Sequence, residues 1–210
     1  MGQLISIIGN TGAGKTTLAH ALCETGRFIP ALEEHAERPF QALFAEDLRR
    51  FALPNQVDYM LLRAEQEAAI RDAGNAGIAD GGLEQDFFVY TRLFFRRGYL
   101  NGEEYKLCGR LYRGLRRLLP APDLFIYLTA PQALLSERVT IRNRTLEIAQ
   151  AADIPQIEEL LHDWLEKERP TSLLTIDSAQ DTGHFIQQLP GILSAIDRLL
   201  QPSQTPSLGG

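Results

Sequence analysis

The chain has 210 residues, 44% apolar and 23% charged, the balance of a soluble globular domain. Its net charge of −6 excludes the broad basic face of a nucleic-acid-binding protein; basic residues are only local, in stretches 92–98, 110–117 and 138–144. No run of about 20 apolar residues exists to span a membrane, and Cys23 and Cys108 lack metal-ligand spacing and read as reduced, half-buried thiols of a cytoplasmic chain.

The first element is the apolar stretch LISII (4–8), a predicted strand. It has no basic region ahead of it and runs into a glycine loop, which argues against a signal peptide. MGQLIS also fits a myristoylation pattern, but the loop that follows requires a strand there. GNTGAGKT (9–16) leads into a predicted helix over 15–24. FIPAL (28–32) is the second strand, followed by EEHAERPF and predicted helices over 39–51 and 54–72. In the second of these, Val57, Met60, Leu61, Ala64, Ala68 and Ala69 recur at three- and four-residue spacing. GIAD (77–80) is the third strand, followed by DGGLEQD and helices over 83–97 and 103–118. LFIYLT (124–129) is the fourth, then a helix over 131–142, the basic TIRNR, and a helix over 154–168. SLLTID (172–177) is the fifth, with a last helix over 181–200 and a polar tail, QPSQTPSLGG. Strands alternating with helices predict an α/β fold of three layers, a mostly parallel five-stranded sheet with helices on both faces. Residues 1–200 read as one domain and 201–210 as a disordered tail.

In such a sheet, ligands bind beyond the carboxyl ends of the strands. After the first strand, GNTGAGKT fits the phosphate-loop pattern with a strand before it and a helix after it. Gly9, Gly12 and Gly14 allow a tight turn that aims backbone N–H groups inward at phosphate oxygens. Asn10, Thr11, Ala13 and Thr17 complete the cradle, Lys15 brings a point charge to the β- and γ-phosphates, and Thr16 offers a hydroxyl to Mg²⁺. The expected ligand is ATP·Mg²⁺. Transfer to an alcohol also needs a carboxylate near the acceptor oxygen and another near the metal. Glu33 and Glu34 after the second strand and Asp80 at the end of the third are the candidates.

Together these residues resemble the deoxynucleoside kinases. The loop is similar to their G-N-x-G-x-G-K-[ST]. EEHAERPFQALFAEDLRRFALPNQ (33–56) is similar, without a gap, to their E-P-V-x-x-N-P-F…F-x-x-D-x-x-R-[WF]-A-[FL]-P-x-Q. RVTIRNRTLE (138–147) resembles their lid, IEELLHDWLE (157–166) the helix after it, and TIDSAQD (175–181) the closing strand and turn. The resemblance implies a P-loop kinase fold with an arginine-bearing lid over about 138–152, and transfer from ATP to the 5′-hydroxyl of a deoxynucleoside in nucleotide salvage. It implies Glu33 as general base, Gln56 on the nucleobase edge, Asp80 near Mg²⁺ and Glu147 on the sugar 3′-hydroxyl. Arg138, Arg142 and Arg144 would close over the triphosphate, with Arg138 catalytic beside Lys15, and residues 177–181 would line the adenine pocket.

The departures cluster on the acceptor side. The family's D/E-R-S is Asp80-Gly81-Gly82 here, its usual tyrosine eleven residues before Gln56 is Ala45, and Glu33 is followed by Glu34-His35 instead of Pro-Val. Arg92, Arg96 or Arg97 could replace the missing arginine from the next helix. A kinase for another acceptor, such as a nucleoside monophosphate or other small alcohol, and a nucleotide-binding regulator without transfer are the alternatives. Phe87, Phe88, Phe94, Phe95, Leu107 and Leu111 exceed what one sheet face covers, which with the resemblance points to a homodimer.

Overall fold

A computed structural model describes residues 1–31, 38–142, 150–180 and 184–200. Glu33, Arg144 and Glu147, with Asp181 and the tail, lie outside the described residues. Five strands form one sheet: β1 (Leu4–Gly9), β2 (Ile29–Ala31), β3 (Gly77–Asp80), β4 (Leu124–Thr129) and β5 (Leu173–Asp177). Their order is β2-β3-β1-β4-β5 and every pairing is parallel, so the sheet is wholly rather than mostly parallel. All four residue-by-residue pairings of β1 with β3 run from Leu4↔Gly77 to Ile7↔Asp80, which puts Asp80 beside the carboxyl end of β1.

The two-residue period of the strands feeds two cores. Leu124, Ile126 and Leu128 of β4 pack with Ile5 and Ile7 against α1 (Lys15–Glu24), α7 (Gln132–Arg142) and α9 (Leu189–Leu200). Phe125 and Tyr127 point the other way, into a core with α3 (Leu48–Ala73), α6 (Gly102–Leu118) and α8 (Ile154–Glu168).

Three helices differ from the sequence reading, and the last of them, predicted over 181–200, begins only at Leu189 after a turn over 184–188. The predicted helix over 39–51 breaks at Asp47, giving α2 (Pro39–Glu46) and α3. Asp47 is extended, and its carboxylate caps α3 by accepting from the Arg50 N–H at 3.1 Å. Pro54 therefore lies inside α3 instead of starting it; the cap and the buried face beyond it outweigh one missing N–H. The predicted helix over 83–97 is α4 (Leu83–Gln85), a π turn over Asp86–Thr91, and α5 (Arg92–Arg96). Such turns are uncommon and tend to mark functional sites.

Packing also revises the surface. Phe94 and Phe87 are core residues, and of the apolar side chains taken as surplus only Phe95 and Leu107 are largely exposed. Phe95 is itself stacked on Tyr105 at 4.7 Å. The excess expected from the sequence is thus mostly absorbed by the core beneath α6. Cys108 is fully buried, and burial pushes its thiol up to about 11; Cys23 is half-buried, so the thiols differ where the sequence reading had treated them alike.

A buried ionic cluster ties α3, α4 and α6 together. Arg116 Nη1 donates to Glu67 Oε2 at 2.6 Å, while Nη2 donates to Glu67 Oε1 at 2.8 Å and Glu84 Oε2 at 2.9 Å. Burial holds the Glu84 carboxyl above its ordinary range despite the guanidinium beside it. Arg116→Met leaves two buried carboxylates unpaired and is expected to cost about 3–5 kcal/mol of stability. Burial already holds the Glu84 carboxyl above its unfolded value, and removing the guanidinium strengthens that effect, so its protonated form is favoured in the fold and stability falls as pH rises through that range. Denaturant titrations should therefore show a smaller loss at pH 5 than at pH 8, and an equal loss at both would contradict the assignment.

Candidate active site

The phosphate loop runs from Gly9 to the first turn of α1, with its glycines where the backbone demands them. Gly12 has φ +77°, and a Cβ there would lie 2.9 Å from the Leu135 carbonyl of α7. Gly14 caps α1 in the left-handed region, against the buried ring of Phe185. Lys15 Nζ donates to the carbonyls of Gly9 at 3.0 Å and Asn10 at 2.9 Å, which sets its charge across the mouth of the loop.

Asn10 ties this loop to the helix beyond the lid. Its Nδ2 donates to the Ile154 carbonyl at 2.9 Å and to Glu158 Oε2 at 2.8 Å, and its Oδ1 accepts from the Thr11 N–H. Tyr127 donates to the other Glu158 oxygen at 2.7 Å, and burial together with that bond raises the phenol's pKa. Arg138 of α7 reaches the same loop. It donates to the Gly12 carbonyl at 3.4 Å and to the Ser178 hydroxyl and carbonyl at 3.2 and 2.9 Å. Arg142 Nη2 lies 3.5 Å from Thr11 Oγ1. Two of the three predicted lid arginines thus stand at the loop. Asp177 organises the turn after β5, accepting from the Ala179 N–H and from Gln180 Nε2.

Asp80 is the acidic group on the loop's other flank. It is buried, and Thr16 Oγ1 donates to its Oδ2 at 2.5 Å. The backbone that follows is pinned to β1: the Gly81 N–H donates to Ile7 O at 2.9 Å, and Ser6 Oγ donates to Gly81 O at 2.5 Å. Gln85 then clasps Gly9 with both ends of its amide, accepting from the N–H at 3.0 Å and donating to the carbonyl at 3.2 Å.

Beyond Gln85 lies a buried polar wall. Arg63 Nε stands 3.2 Å from Asp86 Oδ2, with both side chains nearly sealed from solvent. Gln56 Nε2 donates to the Asp86 carbonyl at 3.1 Å and to Thr91 Oγ1 at 2.6 Å, and the Thr91 hydroxyl donates to that same carbonyl. Both amide protons of Gln56 are committed, which orients its Oε1 as an acceptor. The π turn makes this possible, since Asp86 and Thr91 are the two ends of one i→i+5 turn.

The missing arginine of the Asp80-Gly81-Gly82 segment is not replaced from α5. Arg92 pairs with Asp163 at 2.8 Å, Arg96 with Glu159 at 3.0 Å, and Arg97 with Gln156 at 3.1 Å and with Asp153, all on or beside α8. The guanidinium that lies beside Gly81 is that of Arg63. A Cβ on Gly81 would lie 3.0 Å from Arg63 Nη2, and Gly81 has φ +87°, which side chains rarely adopt. Ala45 is exposed on α2. The sequence reading missed Arg63, Gln85, Asp86 and Glu158. Arg63 follows Gln56 by seven residues, two helical turns, and Gln85 and Asp86 stand in the DGGLEQD stretch beyond the third strand. Both signals were available from spacing.

A family model described as deoxynucleoside kinase matches residues 5–201. The chain belongs to the deoxynucleoside kinase family. This kinase is therefore a phosphotransferase that moves phosphate from ATP to a deoxynucleoside. It is 25% identical to a deoxyadenosine/deoxycytidine kinase of Bacillus subtilis over 148 residues, 70% of this chain and 68% of that one. A deoxyguanosine kinase of the same organism is 25% identical over 190 residues, 87% and 88% of the two chains. A deoxyadenosine kinase of Dictyostelium discoideum is 29% identical over 146 residues, 70% of this chain and 59% of that one. Among solved structures, deoxyadenosine kinase from M. mycoides with bound dCTP superposes with a TM-score of 0.77 at 18% identity, covering 92% of this kinase and all of that chain. That likeness establishes the P-loop kinase fold, in agreement with the wholly parallel sheet of the kinase described above.

Proposed function

We propose that this kinase transfers the γ-phosphate of Mg²⁺·ATP to the 5′-hydroxyl of a deoxynucleoside whose base sits against the wall formed by Gln56, Arg63 and Asp86. The observation that carries this reading is the single segment Asp80–Asp86, which delivers a carboxylate to the phosphate loop at one end and a base-reading cluster at the other. Lys15 and the loop N–H groups hold the donor phosphates, and Arg138 and Arg142 flank them. Glu33, at the end of the second strand segment, takes the proton from the acceptor hydroxyl, with Arg144 and Glu147 assigned to the phosphates and the sugar 3′-hydroxyl.

The oxygen donors of Thr16 and Asp80 fit Mg²⁺, which uses one or two protein oxygens and completes its shell with phosphate oxygens and water. When bound, the ion neutralises charge on the β- and γ-phosphates. The amino-bearing bases named for the Bacillus subtilis and Dictyostelium relatives agree with Gln56 presenting an acceptor. The kinase acts as a homodimer in the cytoplasm in this reading, without nucleic-acid or membrane partners. Incubation with ATP·Mg²⁺ and a panel of deoxynucleosides, nucleoside monophosphates and small alcohols tests it. Deoxynucleoside 5′-monophosphates are the expected product, and transfer confined to monophosphates or to other alcohols would sink the reading.

A further inference from the structure

The buried face of α3 is unusual in being polar. Asn55, Gln56, Tyr59, Arg63 and Glu67 are all buried there, at the spacing of one helical face. Each of them but one has a protein partner. Tyr59 donates to Gln41, Gln56 to Asp86 and Thr91, Arg63 to Asp86, and Glu67 accepts from Arg116. Asn55 is 0% exposed, yet among the described residues neither its Nδ2 nor its Oδ1 has a hydrogen-bond partner. A buried carboxamide with both ends unmet loses its hydration without compensation. A ligand that completes both ends is one way a folded chain keeps such a group.

We propose that the Asn55 carboxamide is a second base-reading group of the acceptor site, resting on the assignment of Gln56 to the nucleobase. Gln56 has spent both its protons and offers one acceptor. Asn55, one residue earlier and one-quarter turn round the helix, brings a donor and an acceptor side by side. A nucleobase edge carries that complementary pair fixed in one plane, whereas the hydroxyls of a bare sugar rotate and are not held in that register. Asn55 thus supplies discrimination for a base-bearing acceptor that Gln56 alone cannot give.

The test is steady-state kinetics of the wild type and Asn55→Leu on the four deoxynucleosides and on 2-deoxyribose, with thermal melting of both proteins. Leucine is nearly isosteric and removes the two unmet groups. The expected KM for the preferred deoxynucleoside rises at least tenfold, the KM for ATP is unchanged, and any slow transfer to 2-deoxyribose is unaffected. The melting temperature rises by roughly 2–4 °C for each kcal/mol of relieved desolvation. An unchanged deoxynucleoside KM, or a fall in melting temperature with equal losses on all acceptors, overturns the proposal. Asn55→Ala, which adds no bulk, carries the same kinetic expectation should leucine prevent folding. A wild type that phosphorylates 2-deoxyribose as well as any deoxynucleoside would instead overturn the base-reading wall itself, a distinguishable result.

Discussion

Asp80→Asn is expected to lower kcat by roughly 10²–10³-fold, the equivalent of several kcal/mol of transition-state charge stabilisation. The residue is buried at the end of β3, and its carboxylate accepts from the Thr16 hydroxyl 2.5 Å away. Asparagine keeps the size and a hydrogen bond to the Thr16 hydroxyl, so the sheet and the loop should stand. What is removed is the negative charge that, with the Thr16 oxygen, would hold a hard divalent cation against the donor phosphates. The loss should therefore appear as a higher Mg²⁺ requirement together with the fall in kcat, whereas metal-free nucleotide binding, governed by the loop N–H groups and Lys15, should hardly change. Titrating Mg²⁺ in the transfer assay, and measuring ADP affinity in the presence of a chelator, distinguishes these. Unaltered Mg²⁺ dependence would remove Asp80 from the metal site.

The second large effect is expected at Glu33. A positioned general base contributes typically about 10²–10⁴-fold, so Glu33→Gln should lower transfer by that order and leave ATP affinity intact. The charge is lost while shape is kept, and the donor phosphates are assigned to the phosphate loop with Arg138 and Arg142, so donor binding should persist. Rapid-quench measurement of transfer alongside equilibrium ATP binding checks it. Retained transfer would move the base elsewhere and reopen the reading of a bound nucleotide that is never used.

Much of the donor half was legible in the sequence because its geometry is local. Eight consecutive residues fix the phosphate loop, since glycine placement and the strand before it determine where the N–H groups point. The ends of α1, β3 and β4 match the predicted ones for a similar reason: each is bounded by glycine, proline or a charge at the point where the apolar pattern stops. The acceptor half was not local. The Arg63–Asp86 pair joins residues 23 apart in sequence, and the Gln85–Gly9 clasp joins residues 76 apart. Helical spacing proposed the faces of α3 but could not say that the polar one would be buried, because burial of charge is decided by the partner that arrives from another element. The Pro54 boundary failed because a local rule, that proline starts helices, met a stronger cap seven residues earlier. The apparent surplus of phenylalanines failed because a sheet-only estimate of covered area ignores helix packing on helix.

The π turn at Asp86–Thr91 carries a consequence for how the segment can vary. A π turn accommodates one residue more than an α turn, so it acts as a phase shifter: side chains after it are rotated by about 100° relative to where a regular helix would set them. Before the shift, Gln85 faces the phosphate loop and Asp86 faces Arg63. After it, Arg92, Arg96 and Arg97 align with the acidic ladder of α8. No uninterrupted helix of this sequence can meet both sets of obligations. Loss of a single residue between 86 and 91 would let the segment wind regularly and force a choice between catalysis-side and α8-side partners, which makes its length, more than the identity of any residue in it, the quantity that drift cannot alter.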